Sequence, residues 1–262
     1  MTLVRRHALT VYAMVAFAYL LLPIAVVIAF SFNDPVGRFN FTWNKFTLDN
    51  WTHPFALPGL QDSIWLSLEI AALSAAVATV LGTAIALALV RYRFRGRGLV
   101  NSLIFLPMTA PEIVLGASLL TLFLNRGVAT GFATIFIAHV MFNISYVVVT
   151  VRARLTGFDP AVEEAAMDLG ANPWTTFRKV TLPLIAPGVL AASLLAFALS
   201  VDDFVITYFN AGSEITFPLF VWGAARVAVP PQVNVIGTMI FAAALSLMFL
   251  NMLWQRRKAV AA

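Results

Sequence analysis

The sequence has no cysteine, few charged residues and no phosphate-binding loop. Across all 262 residues, the absence of cysteine excludes disulfides, thiolate metal sites and cysteine nucleophiles. No Gly-x-x-x-x-Gly-Lys-Ser/Thr motif occurs, so the chain lacks the P-loop with which many ATPases bind ATP. No His, Asp or Glu set has metal-ligand spacing on one helix, and no pair has the context of a hydrolase. The sequence therefore predicts a protein that is not an enzyme and that binds no cofactor itself.

The chain is instead rich in apolar sequence. Hydrophobic residues make up 61% and charged residues 11%, against roughly 50% and 25% in soluble proteins. A helix needs about 20 apolar residues to cross the hydrocarbon core of a bilayer. Six stretches qualify, at residues 8–32, 63–90, 99–124, 131–151, 184–206 and 233–254. We therefore predict an all-α integral membrane protein with one domain over residues 1–262, a first helix at 8–32 and a core bundle at 63–254.

The basic residues cluster between these stretches, which predicts the orientation of the chain. Thirteen of the 17 Lys and Arg residues lie at the N-terminus, in the loops after the second and fourth stretches, and in the C-terminal tail. Because cytoplasmic loops carry an excess of Lys and Arg, both termini are predicted to be cytoplasmic. The formal net charge of +5 is thus explained by topology, and no nucleic-acid partner is predicted.

Four acidic residues fall inside predicted spans, where a charge at mid-bilayer costs about 2.5–3.5 kcal/mol. Glu69 lies near the outer end of the second stretch, where an interfacial position explains it. Glu112 follows Pro107 and Pro111 in the third stretch, and these prolines predict a bent helix of the kind found around transport sites. Asp202 and Asp203 lie toward the outer end of the fifth stretch. We predict that Glu112 lines a polar path. The aspartates either line that path too, or one of them caps a helix or reaches the outer water.

Two further polar patterns predict contacts between helices. His139 and Asn143 share one face of the fourth stretch, and we interpret them as interhelical hydrogen-bond partners rather than ligands. The second stretch carries a small residue at every fourth position, which lets another helix approach closely. This seam consists of Ser74, Ala78, Gly82 and Ala86. Packing within one bundle is the favoured reading, and a subunit interface stays open.

The loop 152–183 is predicted to form two short capped helices on the cytoplasmic side. Asp159-Pro160 has the residues of a helix start, Gly170 those of a helix end, and Asn172-Pro173 those of a second start. Leu182-Pro183 is predicted to break the second helix before the fifth span. The first helix has an apolar face made of Val162, Ala165, Ala166 and Leu169. Such a face needs a partner protein, the lipid headgroups or the underside of the bundle to cover it.

The pattern Glu164-Ala165-Ala166-x3-Gly170-x9-Val180-x-Leu182-Pro183 resembles the EAA loop of binding-protein-dependent ABC importer permeases. That family usually has Ile where this chain has Val180. The resemblance implies a type I permease-like bundle whose cytoplasmic loop is a coupling helix seated in a cleft of an ATPase subunit. It assigns ATPase coupling to Glu164, Ala165, Ala166, Gly170, Leu182 and Pro183.

Two more segments are similar to the C-type permeases of spermidine/putrescine importers. They are residues 107–116, where that subfamily often has Asp in place of Glu112, and residues 200–209. The likeness implies a bacterial inner-membrane subunit that forms a heterodimer with a B-type permease. It also implies two ATP-binding subunits, which would use ATP and Mg, and an extracytoplasmic substrate-binding protein. Membrane lipid is the remaining expected partner.

The chemistry of a polyamine agrees with the acidic residues of this chain. A polyamine carries ammonium groups spaced along a flexible apolar chain. Carboxylates at Glu112, Asp202 and Asp203, with the aromatic rings of Phe204 and Tyr208, would hold such groups by ion pairing and cation–π contact. We therefore predict that these five residues line the substrate path.

Three alternative functions remain open from the sequence. An ABC importer permease for ferric iron, thiamine, a phosphonate or another small solute would look alike at the EAA loop. A proton-coupled secondary carrier would use Glu112 and the aspartates as proton sites, and its transport would survive ATP depletion. An intramembrane enzyme would need a nucleophile–base or metal constellation assembled across helices.

Overall fold

The computed structural model describes the backbone of residues 3–157 and 159–261 and the side chains of residues 8–157, 159–246 and 249. Within these residues the chain is predominantly helical. The α-helices are α1 (Leu3–Ser31), α2 (Asp49–Thr52), α3 (Leu60–Arg91), α4 (Arg97–Thr109), α5 (Glu112–Asn125), α6 (Phe132–Thr156), α7 (Ala161–Asp168), α8 (Pro173–Thr176), α9 (Leu182–Asp202), α10 (Val205–Asn210), α11 (Phe217–Val227) and α12 (Pro231–Ala261). A π-helix at Phe177–Thr181 joins α8 to α9, and two short strands, β1 (Asn33–Asp34) and β2 (Lys45–Phe46), pair antiparallel.

Five of the six predicted spans are present in the part of the chain that the structure describes. Four helical segments are long and apolar enough to cross a bilayer, namely Ala8–Ser31, Leu60–Arg91, Phe132–Thr156 and Pro173–Asp202. The pair of α4 and α5 passes the same test as one bent span. The sixth predicted stretch, 233–254, falls on α12, whose described apolar part, Pro231–Ser246, is shorter than a span. The side chains of residues 250–254 lie outside the described residues. The all-α membrane fold is thus confirmed.

The third span is broken rather than gently bent. Helices α4 and α5 meet at an angle of 110°. The break lies at Ala110, which is extended (φ −72°, ψ 141°), and Pro111, which precedes the first residue of α5. A proline disfavours the helical conformation of the residue before it, which explains why the helix stops at this site. Pro107 is tolerated inside α4. The predicted bend is confirmed, and it is sharp enough to divide the span into two helices.

The predicted break at Leu182-Pro183 is wrong, because helical structure runs through both residues. The π-helix lies immediately before them, and Pro183 sits in the first turn of α9. A proline has no N–H to donate, and its ring crowds the carbonyl four residues earlier, at Lys179. The wider turn of the π-helix accommodates this site without ending the helix. Pro173–Asp202 therefore forms one continuous helical span of 30 residues.

The chain divides into two compact units, Asp62–Phe220 and Met1–Gln61 with Val221–Ala262. We call them the central unit and the terminal unit. In the central unit, α6 is the most enclosed span and packs against α9 and α4. The small residues of α3 face α6, since a Cβ added at Gly82 would lie 2.7 Å from the Cβ of Val147. The other members of the seam, Ser74, Ala78 and Ala86, are fully buried. The seam therefore packs within the bundle, as predicted.

In the terminal unit, α1 packs against α12, and a network of asparagine side chains orders the segment that follows α1. The Asn33 amide donates to the side-chain oxygen of Asn40 at 2.6 Å and to the carbonyl of Thr42 at 2.9 Å. The Asn50 amide donates to the carbonyls of Ser31 and Asn33. Because these amides are buried, they cannot bind water, and the hydrogen bonds within the protein take its place.

Candidate functional site

The loop 152–183 forms two short helices with the predicted caps. Before α7, the Asp159 carboxylate accepts a hydrogen bond from the backbone N–H of Ala161 at 3.0 Å. After α7, Gly170 adopts φ +88°, a left-handed conformation that strains any residue with a Cβ. The Asn172 side chain caps the start of α8 by accepting from a backbone N–H. These caps explain why the loop forms two defined helices joined by a turn at Gly170.

The predicted apolar face of α7 is turned mostly to solvent. Leu169 is 90% exposed, Val162 and Ala165 are also exposed, and Ala166 is half-buried. Trp174 of α8 is also 68% exposed. Several exposed apolar side chains on a short helix are typical of a surface that binds another molecule. The motif residues therefore lie where a partner can reach them.

Glu163, which the sequence reasoning missed, anchors α7 to the spans. Its carboxylate accepts hydrogen bonds from the guanidinium of Arg91, at the end of α3, and from the hydroxyl of Thr181 in the π-helix. The Arg91 guanidinium also donates to the Thr181 hydroxyl at 3.2 Å. Glu164 is exposed, so the motif carboxylate and the anchoring carboxylate are different residues. Only the position of Glu163 beside the apolar face could have drawn attention to it, since Arg91 lies 72 residues away.

Asp202 and Asp203, which we call the acidic segment, lie at a break in the predicted fifth span. Helix α9 ends at Asp202, and α10 begins at Val205. Between them, Asp203 is extended (φ −63°, ψ 119°), which directs the chain into α10. Asp202 is exposed, whereas the side chain of Asp203 is only 6% exposed. The two neighbouring carboxylates therefore have different surroundings.

A buried network of polar side chains encloses Asp203. One oxygen of its carboxylate, Oδ2, accepts hydrogen bonds from the backbone N–H and the hydroxyl of Thr207, both at 2.8 Å. The Nε2 atom of His139 lies 3.2 Å from the same oxygen and 2.9 Å from the Thr207 hydroxyl. On the other side of the imidazole, Nδ1 lies 2.6 Å from the hydroxyl of Ser200, which is 3.1 Å from that of Ser74. His139 is thus an interhelical hydrogen-bond partner, as predicted.

Asn143 does not behave as predicted. It is fully buried, yet neither its side-chain oxygen nor its side-chain nitrogen has a hydrogen-bond partner. An unpaired buried amide costs about 1–3 kcal/mol. One turn before it, His139 finds hydroxyl and carboxylate partners. The shared helical face was therefore not sufficient to predict a partner.

The remaining predicted path residues lie on α5 and α10, which pack against each other. Glu112 is exposed in the first turn of α5. One turn later, a Cβ added at Gly116 would lie 2.8 Å from the ring of Phe209, so glycine permits this close approach. Tyr208 is 56% exposed, and its ring centroid lies 5.7 Å from that of Phe204. The structure therefore joins Glu112 to the acidic segment through contacting helices.

Comparison with known proteins gives a family and close relatives in sequence. Residues 78–258 match the family described as binding-protein-dependent transport system inner membrane components. The spermidine/putrescine transport system permease protein PotC of Haemophilus influenzae is 38% identical over 244 residues, which cover 93% of this chain and 94% of that protein. The PotC protein of Escherichia coli K12 is 40% identical, with 92% and 91% covered. The putrescine transport system permease protein PotI of Escherichia coli K12 is 37% identical over 88% of this chain and 84% of that protein.

Solved structures of transporters share the fold at lower sequence identity. A chain of a bacterial ABC transporter that imports the acidic polysaccharide alginate superimposes with a TM-score of 0.66 at 18% identity, covering 98% of both chains. A chain of the MetNI methionine ABC transporter, in inward-facing conformations, superimposes with a TM-score of 0.60 at 17% identity, covering 73% of this chain and 92% of that chain.

Proposed function

Because this chain belongs to the family of binding-protein-dependent transport system inner membrane components, we propose that it is the permease subunit of an ATP-driven importer of polyamines. As a member of that family it is a non-catalytic, multi-pass subunit of the inner membrane. The cargo is proposed from one observation above the others. Identity of 38–40% over more than nine-tenths of the chain links it to permeases named for spermidine and putrescine.

The acidic segment and Glu112 supply the chemistry that a polyamine needs. Exposed carboxylates at Glu112 and Asp202 pair with ammonium groups, and the exposed ring of Tyr208 offers a face for cation–π contact. The carboxylate of Asp203 adds negative charge behind that surface. The packing of α5 against α10 supports the proposal that these groups line a common route.

The exposed face of α7 is proposed to seat in a cleft of an ATPase subunit. Glu164, Ala165, Ala166 and Gly170 form this contact, and Leu169 supplies its most exposed apolar side chain. Movement of α7 then reaches the membrane by two connections. The first is the pairing of Glu163 with Arg91 at the end of α3. The second is the unbroken helix through Leu182-Pro183 into α9, so these two motif residues transmit movement rather than separate two helices.

The working importer is proposed to contain more than this chain. A second, B-type permease completes a heterodimer, two ATP-binding subunits hydrolyse ATP with Mg, and an extracytoplasmic binding protein delivers the substrate. Both termini of this chain face the cytoplasm, on the side of the Arg- and Lys-rich loops. Alternating access then follows when ATP binding moves α7 and the spans rock between inward- and outward-facing states.

Reconstitution of the complete importer tests this function. Proteoliposomes that contain both permeases, the ATPase subunits and the binding protein should accumulate labelled spermidine or putrescine when ATP is supplied to the ATPase side. Uptake should persist when a protonophore collapses the proton gradient, and it should stop without ATP. Uptake that follows the proton gradient instead would favour the secondary carrier. ATP-driven uptake of iron, thiamine or a phosphonate in place of polyamines would show that the importer carries a different substrate.

Charge-neutral variants test the path. Replacing Glu112 by Gln together with Asp202 by Asn should abolish polyamine uptake while both permeases still copurify. The control is Asp49→Asn, which removes one carboxylate charge from an exposed residue of α2 that is not among the proposed path residues. Equal uptake by the control and the Glu112/Asp202 variant would exclude these two carboxylates from the path.

A further inference from the structure

The two aspartates at the break between α9 and α10 differ in what can reach them. We infer that His139 and Asp203 are positioning residues, which hold this break so that Asp202 alone of the pair presents its carboxylate to a cationic substrate. The inference rests on the proposed transport function, which it refines by dividing the acidic pair into one binding residue and one structural residue.

The enclosure of Asp203 is the first reason. Its side chain is 6% exposed and that of His139 is 3% exposed. A polyamine ammonium that paired directly with Asp203 would have to displace His139 or the hydrogen bonds from Thr207. Asp202 needs no such displacement, because it is exposed.

The directions of the hydrogen bonds are the second reason. A carboxylate only accepts, so the Thr207 hydroxyl gives its single proton to Asp203. The Thr207 oxygen must then accept from Nε2 of His139, which therefore carries a proton. With a neutral imidazole, Nδ1 accepts from Ser200. Both ring nitrogens of His139 on α6 thus have partners, one on α9 and one on α10, so the imidazole holds α10 against α6 and α9.

The position of each carboxylate on its helix is the third reason. Asp203 precedes α10 and accepts from a backbone N–H in its first turn, where a negative charge is stabilised by the helix. Asp202 is the last residue of α9, where the partial charge of the helix is negative and a carboxylate is disfavoured. A positive ligand relieves that repulsion at Asp202, whereas Asp203 is already compensated.

Ser200, His139 and Asp203 are hydrogen-bonded in the order of a hydrolase triad, with His139 between the serine and the aspartate. Ser200 is only 5% exposed, and its hydroxyl also contacts that of Ser74. A substrate carbonyl has no access to this hydroxyl. The arrangement therefore serves to connect helices rather than to form a nucleophile.

Paired substitutions in the complete importer test the division of roles. Asp203→Asn keeps an oxygen that accepts from Thr207, so it should support uptake of labelled spermidine roughly tenfold above that of Asp203→Ala, which leaves buried donors unpaired. At position 202 only the charge matters, so Asp202→Asn should be as defective as Asp202→Ala. His139→Gln, which retains an N–H donor, should exceed His139→Ala in the same way.

Thermal unfolding of the purified complex provides a readout that does not depend on the substrate. Asp203→Ala and His139→Ala should each lower the melting temperature, and the double variant should melt no lower than the worse single variant. Asp202→Ala should not lower the melting temperature, because no residue of the network depends on that carboxylate. Equal uptake by Asp203→Asn and Asp203→Ala, or additive losses of melting temperature at 139 and 203, would overturn the inference. If the wild-type importer moves no polyamine, the proposed function fails, while the melting temperatures still decide whether His139 and Asp203 act as one unit.

Discussion

Replacement of Gly170 by alanine should weaken the coupling between ATP hydrolysis and transport. Gly170 ends α7 with φ +88°, and a Cβ added there would meet no atom within 4 Å. The substitution therefore adds backbone strain without a steric clash. Holding a residue with a Cβ in the left-handed region costs about 1–2 kcal/mol. That cost lowers the ratio of the native to alternative loop conformations by a factor of about 5–30.

A second glycine of the same region supplies the control. Gly157 follows α6 with φ −90°, a conformation open to any residue, and its added Cβ would make only an ordinary contact at 3.9 Å. Gly157→Ala should therefore leave the loop intact. The two variants make the same chemical change and differ in the backbone conformation of the substituted residue.

Uptake and ATP hydrolysis should be measured on the same proteoliposomes. For Gly170→Ala we expect the amount of polyamine taken up per ATP hydrolysed to fall several-fold, and for Gly170→Val to fall further, because a β-branched residue is more strained at positive φ. Gly157→Ala should retain the wild-type ratio. If both alanine variants give the same ratio, the left-handed end of α7 is not what positions the coupling surface.

Other predictions concern packing and the anchoring of α7. Gly82→Ala should lower the melting temperature of the complex, because overpacking against Val147 costs about 1–3 kcal/mol, whereas Gly223→Ala, where a Cβ meets open space in a helix, should not lower it. Equal melting temperatures would contradict the close approach of α3 and α6. Glu163→Gln should reduce uptake per ATP, as should Arg91→Gln, and the double variant should be no worse than the worse single variant. Additive losses, measured in the same uptake assay, would show that the two side chains act separately.

Much of the fold was predictable because its determinants are local in sequence. The apolar stretches fix the spans, and the caps at Asp159, Gly170 and Asn172 depend on residues within a few positions of each helix end. The effect of proline was predictable only in part. Pro111 follows a residue that can become extended, and the helix ends there. Pro183 follows a π-helix, which no composition pattern indicates, and the helix continues.

The residues of the candidate site could be predicted from their types, but the hydrogen-bond partners of each side chain could not. Asp203 was identified by its charge, yet its enclosure depends on His139 and, through it, on Ser200, which lies 61 residues from that histidine. The anchoring of Glu163 likewise depends on a distant arginine. For Asn143 the same reasoning predicted a partner that the structure does not provide. Pairings between helices require their relative register, which a single sequence does not contain.

The helix from Pro173 to Asp202 is continuous, so under the proposed function the coupling loop is one end of a long lever. At 1.5 Å per residue, its 30 residues span about 45 Å, so a tilt of about 10° at the cytoplasmic end sweeps the far end through roughly 8 Å. That is wider than an ammonium group. If the ATPase subunit rotates α7 as we propose, a small rotation of this helix is sufficient to open or close the proposed path beside Asp202.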